Sequence, residues 1–345
     1  MAMRKEDYSD VILATRVKIL RNIKGFSFPL KMSIEEKENL IGMTRQALAK
    51  EKYSFARGDE IDKDEKKRLF EDWAMTKSFV QDGKGKALLV SEDEKIKVFI
   101  NDVDHVGIQS MDVGRGNIKG TYDKAEAVAV NIEKAMDIAY SERLGFLTAN
   151  PNNTGSGCRI AFLVSIPGIV KAGVLPQFIN KISKFDWTLI PAFQTKPNRD
   201  EFLYILANIA TLGITENALL VGADYITKEL VKAERACRAG LYRKNTNVIE
   251  EQYYRAFGVL RYARKISRGE AIALISWLWI GQGKCKGYEE LGLTWDKIYK
   301  VTKYVCCELI QRPPIQSVNI MGVGDKECSD RANIIRSILK GDESV

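Results

Sequence analysis

The sequence predicts an α+β class of fold, with a mixed part first and an all-helical part second. Three observations carry this. Two apolar runs, Lys86–Val90 and Ile96–Ile100, flank the polar stretch Ser91–Lys95, the pattern of two antiparallel strands joined by a turn. Ala125, Val128, Ala129, Ile132, Met136 and Ala139 recur at helical spacing, so an amphipathic helix is expected over 123–143. From residue 215 onward, strand-like alternation is absent.

In chain order, the first element is the apolar run from Val11 to Leu20, interrupted by Arg16 and Lys18. A spacing of two places these bases on one face of an extended strand, with Arg21 just beyond them. Ser33 before Glu35 and Glu36 reads as an N-cap with acids in the first turn, opening a helix to about Lys50. Residues 56–68 are charged and read as a loop or surface helix. The second strand of the hairpin ends in Asn101-Asp102-Val103-Asp104-His105. The loop Ala149–Gly157 carries glycines at 155 and 157, and an apolar strand follows from Arg159 to Ile166. Gly168–Ser183 reads as helical and 185–198 as strand plus loop. Thr215 opens a long helix in which Ile226, Leu230, Ala233 and Cys237 share a face, and Val248–Arg264 forms a second. Ser267-Arg-Gly-Glu270 fits a capping box before Ala271–Trp279. The expected division is 1–228 and 229–345.

A length of 345 residues suits two domains, and 45% apolar with 28% charged residues is ordinary for a globular chain. Those values exclude a disordered chain, a collagen or a coiled coil. The densest apolar run, Ala271–Ile280, is too short to span a bilayer. No basic-then-apolar leader opens the sequence, so a soluble cytoplasmic protein is expected, with no membrane partner. The net charge of +8 suits an anionic partner, but the bases are dispersed rather than blocked, which argues against nucleic acid. Six cysteines without a CxxC pair, and a single His, argue against a zinc site and for reduced thiols.

Two places could carry chemistry. The strand end at 101–105 sets Asp102 and Asp104 beside His105, and such ends are common sites; the alternative is a strand cap with its histidine satisfied. The loop at 149–157 exposes backbone N–H groups at Thr154, Gly155, Ser156 and Gly157 that could cradle anionic oxygens, although most such loops are only turns. Arg159, with Arg16, Lys18 and Arg21, would complete a phosphate clamp if the fold brings them together. Trp277 and Trp279 read as core or dimer packing, and Cys306-Cys307 as small helix residues.

Several of these segments together resemble the ATP:guanido phosphotransferases, or phosphagen kinases, and among them the bacterial protein-arginine kinases. Val11–Asn22 is similar to the family segment of serine or threonine, Arg-x-Arg, then Ala-Arg-Asn. Leu89–Gln109 runs through a stretch similar to the signature Asn-Glu-Glu-Asp-His-x-Arg-Ile. Ser141–Arg159 resembles Gly-Tyr-Leu-Thr-x-Cys-Pro-Thr-Asn-x-Gly-Thr-Gly-x-Arg, and Tyr254–Arg264 resembles the helical domain of protein-arginine kinases. The resemblance implies an antiparallel sheet flanked by helices, then a helical C-terminal domain. It implies transfer of the γ-phosphoryl group of ATP, bound with Mg, to a guanidinium nitrogen. Arginines hold the phosphates, and carboxylates orient the acceptor and take its proton, because a guanidinium has a pKa above ~12.

The departures from the family pattern are concentrated. Val103 stands at the catalytic carboxylate, Gly107 at a phosphate arginine, Asn150 at the substrate-loop cysteine and Lys18 at an arginine. In a looser alignment Ile190 stands at another arginine and Thr195 at the second carboxylate. The phosphoarginine-reading Arg-Asp-x-x-Arg-Ala motif falls on Glu327-Cys-Ser-Asp-Arg-Ala332, which leaves Arg331, with Asp330 beside it, as the remnant of that pocket. The expectation is a pseudokinase, acting as partner or regulator and forming a homodimer or a heterodimer with an active protein-arginine kinase homologue. Two alternatives stand beside it: an active kinase that uses Asp102 or Asp104, or a scaffold that binds nucleotide or phosphopeptide.

Overall fold

The computed structural model describes residues 8–63, 66, 76–113, 117–192, 202–311 and 325–341. Ten strands are described: β1 Ile12–Arg21, β2 Tyr53–Arg57, β3 Ala87–Ser91, β4 Ile96–Ile100, β5 Val106–Val113, β6 Tyr140–Ser141, β7 Gly145–Phe146, β8 Cys158–Ser165, β9 Trp187–Pro191 and β10 Leu203–Asn208. The helices used below are α1 Ile34–Ala47, α2 Lys77–Gln81, α3 Ile118–Ala135, α4 Pro167–Lys171, α5 Leu175–Ser183, α6 Glu216–Lys244, α7 Thr246–Tyr262, α8 Arg268–Gly281, α9 Trp295–Gln311 and α10 Asp325–Lys340.

Eight strands form one antiparallel sheet in the order β2-β3-β4-β5-β1-β8-β10-β9, and β6 and β7 make a separate small hairpin. Most of the helix packing is on one face of the sheet, while Phe79 of α2 and Ile272 of α8 pack on patches of the other. Val17, Ile19, Val98, Ile100, Ile108, Ile160, Phe162 and Leu206 bury one face against Leu40, Val128, Ile132, Phe178 and Ile226 of the helices. The residues between them in sequence, Arg16, Lys18 and Arg159, stand on the opposite face. A second core, from Ile249 to Leu339, fills the helical part around Tyr253 and Trp279. α6 runs unbroken from one core to the other, so the expected division at 228/229 falls within a continuous helix.

The local chemistry explains the boundaries. Ser33 makes a full capping box: its Oγ accepts from the Glu36 N–H and Glu36 accepts from the Ser33 N–H. At Ser267 only half the expected box forms, Oγ accepting from the Glu270 N–H at 3.2 Å. The helix expected over 123–143 is instead Ile118–Ala135: Asn117 caps it early, and Met136 is already extended. Five strands lie where none was expected: β2, β5, β10 and the short pair β6 and β7. β2 is a half-exposed edge, and β5 carries Gln109, Ser110 and Asp112 among its apolar residues.

Two buried acids far apart in the sequence, Asp10 and Glu234, tie the parts together. Glu234 on α6 accepts from the N–H groups of Gly168 and Ile169 at 2.8 Å each, which satisfies the start of α4, and also from Arg238 Nε. Asp10 accepts from Arg235 Nη2 at 2.6 Å and Arg238 Nη1 at 3.0 Å. Gly168 permits this approach: a Cβ there would lie 2.9 Å from the backbone of Glu234 and Arg238. Trp279 is core, its Nε1 donating to Thr302 Oγ1 at 3.0 Å, and Trp277 packs beside it under the Lys171 ammonium. Cys306 and Cys307 lie in α9.

Candidate functional site

A cleft of about 270 Å³ opens on the face of the sheet opposite α3, lined by Arg16, Lys18, Leu20, Thr76, Asp102, Val103, Asp104, Gly107, Asn150, Asn153 and Arg159. The expected convergence of Arg16, Lys18 and Arg159 is therefore present. Strand register produces it, because Lys18 on β1 pairs directly with Arg159 on β8 and Arg16 lies one pleat away. Arg159 is aimed by two carbonyls, its Nη1 donating to Asn208 O at 2.8 Å and Ile209 O at 2.6 Å. Burial, with Arg159 nearby, lowers the Arg16 guanidinium to about 10. Burial lowers Lys18 too, with Asp102 pulling the other way. Such a set favours an anion.

Arg21 does not join the clamp. It is buried on the other side, its Nε on Glu133 at 2.6 Å, its Nη2 on Glu216 at 3.2 Å and its Cζ 3.4 Å over the Phe146 ring. The odd spacing from Arg16 and Lys18 turns it to the opposite face.

The strand end at 101–105 is a tight bend rather than a continued strand. Asn101 has φ +56°, and its N–H donates to His105 O at 2.9 Å. Asp102 and Val103 thus both border the cleft instead of alternating across the sheet. Val103 stands at its lip, 39% exposed. Asp102 Oδ1 accepts from the Thr76 hydroxyl, and Asp104 Oδ1 accepts from Asn22 Nδ2 and the Ala149 N–H at 2.7 Å each. Among the described residues the Oδ2 atom of each acid is enclosed and has no hydrogen-bond partner. Asp104 is accordingly a positioning residue that fastens the 149–157 loop to the bend.

Both ring nitrogens of His105 are engaged by the backbone. Its Nδ1 accepts from the Ile23 N–H at 2.9 Å, so Nε2 carries the proton and donates to Ser27 O at 2.7 Å. Burial lowers its pKa below the ordinary histidine value. The neutral form is then favoured on folding, and its contribution is lost as pH falls below the unfolded pKa of about 6.5. Urea midpoints are expected to decline on acidification through that window, and less steeply in His105→Gln. Because this is the only histidine in the chain, an unchanged slope would contradict the assignment.

The glycine loop reaches the cleft through Asn150 and Asn153 rather than through its N–H groups. Those of Thr154, Gly155 and Ser156 donate to Pro151 O, Phe146 O and Thr211 O at 3.1 Å each. Thr211 Oγ1 also bonds the carbonyl of Thr154 at 2.8 Å. Gly155, at φ +118°, admits the Thr211 carbonyl where a Cβ would stand at 2.2 Å. Gly157 lies at φ +60° against Leu20 O. Three of the four N–H groups expected to cradle phosphate, those of Thr154, Gly155 and Ser156, are thus taken up by carbonyls of the protein.

Arg331 is buried as well, its Nη1 donating to Ile266 O at 3.0 Å, while Asp330 next to it is exposed. Arg331 ties α10 to the connection before α8. Thr195 lies outside the described residues; Ile190 is exposed on β9. Sequence reasoning missed Thr76 and Asn153. Thr76 carries a legible signal, because it caps α2. Among the described residues no three His, Cys, Asp or Glu side chains converge on a possible metal, and no helix is long and apolar enough to cross a membrane.

The family model described as ATP:guanido phosphotransferase, C-terminal catalytic domain, matches residues 35–237. The chain is 31% identical over 280 residues to a protein-arginine kinase of Pelotomaculum thermopropionicum, covering 79% of this chain and 78% of that protein. It is 26% identical over 345 residues to the protein-arginine kinase of Clostridium novyi, covering 97% and 96%. Among solved structures, lombricine kinase superposes with a TM-score of 0.59 at 20% identity, covering 67% of this chain and 68% of that one. The duplicated taurocyamine kinase of Schistosoma mansoni gives 0.60 at 20% identity, with 73% of this chain spanning 38% of that longer protein. These structural likenesses agree with the antiparallel sheet flanked by helices.

Proposed function

The chain belongs to the ATP:guanido phosphotransferase family, and we propose that within it this protein is a pseudokinase. It holds nucleotide, no longer transfers phosphoryl to arginine, and acts in the cytoplasm as partner or regulator of an arginine-phosphorylation system, in a dimer with itself or an active protein-arginine kinase. The observation that carries this reading is Val103 at the lip of the cleft, with the oxygens of both neighbouring acids bonded or enclosed. Valine neither orients a guanidinium nor accepts its proton. Losing one general base typically lowers a rate by about 10²–10⁴. Asp102 and Asp104 do not supply a substitute, because an acceptor nitrogen would need an accessible carboxylate oxygen.

Phosphate holding is the part of the family chemistry that the residues still fit. Arg16, Lys18 and Arg159 would face the phosphates of ATP, with Asn150 and Asn153 at the loop side. Mg binds through phosphates, waters and one or two carboxylates rather than a dedicated cage, so it would enter with the nucleotide and neutralise phosphate charge.

Calorimetric titration with Mg-ATP, run beside a turnover assay, tests the reading. Wild type is expected to bind ATP without turning it over on an arginine-bearing protein. Arg16→Ala is expected to weaken binding about ten- to hundredfold, the size of one lost charge-assisted hydrogen bond. Unchanged affinity in that variant would remove the nucleotide from this cleft.

A further inference from the structure

The cleft holds a hydroxyl group already paired with an acid. Thr76 lines it together with Arg16, Lys18, Asp102 and Arg159. The Thr76 hydroxyl donates to Asp102 Oδ1 at 2.5 Å, and its oxygen accepts from the Phe79 N–H at 3.2 Å. A threonine oxygen has two lone pairs, so one is left for the cleft. The bond that closes Asp102 to a guanidinium therefore sets a nucleophile and a base in contact.

Both members of this pair are fixed by groups outside the cleft. Thr76 caps α2 through the Phe79 N–H, and Phe79 is fully buried edge-on to Phe99, with ring centroids 5.7 Å apart. Lys86 Nζ donates to Ser78 O at 2.9 Å and Ser78 Oγ at 3.0 Å, which holds the first turn of α2. Asp102 is set by the bend at Asn101, whose side-chain amide donates to Lys37 O at 3.0 Å and Gly85 O at 2.9 Å. A hydroxyl held against a carboxylate, beside cations that suit phosphate, is the arrangement by which phosphoryl groups are passed to hydroxyl acceptors.

We infer that Thr76 is itself a phosphoryl acceptor: the chain transfers the γ-phosphoryl group of bound ATP to its own Thr76 hydroxyl, with Asp102 as the base. This self-transfer rests on the nucleotide-holding part of the proposed function and leaves the loss of arginine transfer intact, because a hydroxyl within the chain needs only the one carboxylate oxygen it already touches. Thr76 Oγ1 attacks the γ-phosphorus and forms the ester bond. The bond from that phosphorus to the β,γ-bridging oxygen breaks, and its electron pair leaves with ADP. The hydroxyl proton passes to Asp102 Oδ1. Arg16, Lys18 and Arg159 line the same cleft and offset the phosphate charge. The product ester stays beside those cations, so uptake ends at one phosphate per chain.

Incubation of the pure chain with radiolabelled Mg-ATP, then acid treatment and peptide mass spectrometry, tests this beside the calorimetric titration. A phosphothreonine ester survives acid, whereas the P–N bond of phosphoarginine does not. The expected result is acid-stable label on Thr76, with a rate constant independent of protein concentration. Thr76→Ser keeps both cap and acceptor and is expected to keep the label. Thr76→Asn keeps a strong N-cap without a hydroxyl and is expected to lose it. Asp102→Asn is expected to slow labelling about 10²–10⁴-fold. ATP binding with no acid-stable label on Thr76 would overturn the self-transfer and leave the nucleotide-holding reading standing. Equal acid-stable label in wild type and Thr76→Asn would overturn it too. Absence of ATP binding would sink both. Acid-labile label on arginine with none on Thr76 would sink the self-transfer together with the loss of arginine transfer.

Discussion

Glu234→Ala is expected to destabilise the chain by about 3–5 kcal/mol, the usual result of breaking a buried ion pair by removing one partner. Glu234 is fully buried and makes three bonds, to the N–H groups of Gly168 and Ile169 and to Arg238 Nε. Truncation leaves the first turn of α4 without acceptors and removes one of the two acids that answer Arg235 and Arg238. Collapse of the site is limited, because α4 already touches α6 where Gly168 has no side chain. Urea denaturation reads the loss as a lower midpoint at unchanged slope. Glu234→Gln keeps one acceptor oxygen and is expected to fall between the two. A midpoint shift within ~0.5 kcal/mol for Glu234→Ala would show that solvent reaches this network.

The second large effect is on transfer. With Val103 at one carboxylate position and Thr195 at the other, wild type is expected to fall below detection, given about 10²–10⁴ for a single lost base. Val103→Glu restores one acid at an exposed position, but the Lys18 ammonium still lies over Gly107 and residue 195 remains neutral. That single change is expected to leave transfer undetected. Val103→Glu combined with Thr195→Glu is expected to raise it above background, measured as radiolabel moved from ATP to an arginine-bearing protein. Equal, absent transfer in the double variant would mean that losses beyond the two acids also block the reaction.

Much of the fold was legible because its signals are local. The polar turn between Val90 and Ile96, the cap at Ser33 and the cap at Thr215 each specify an element within a few residues. β5 was not legible, because the side chains it sends to the cleft face, Gln109 among them, break the apolar pattern of a half-buried strand. Arg16, Lys18 and Arg159 were found by a mixture of strand parity and proximity to the loop. The same parity separates Arg21 from them. His105, Arg331 and the loop N–H groups looked functional because their partners are remote in sequence: Ile23, Ile266 and Thr211 satisfy them only once the chain is folded. The bend at Asn101 is likewise set by a contact with His105 and by carbonyls of Lys37 and Gly85.

The most direct measurement is phosphoarginine formation by the pure wild-type chain, given Mg-ATP and an arginine-bearing protein and followed as the acid-labile phosphorus signal. The expected result is no signal above a control without the chain over long incubation. A signal that grows with time and disappears in Arg159→Ala would contradict the loss of transfer, and would mean that an acid elsewhere in the chain takes the acceptor's proton.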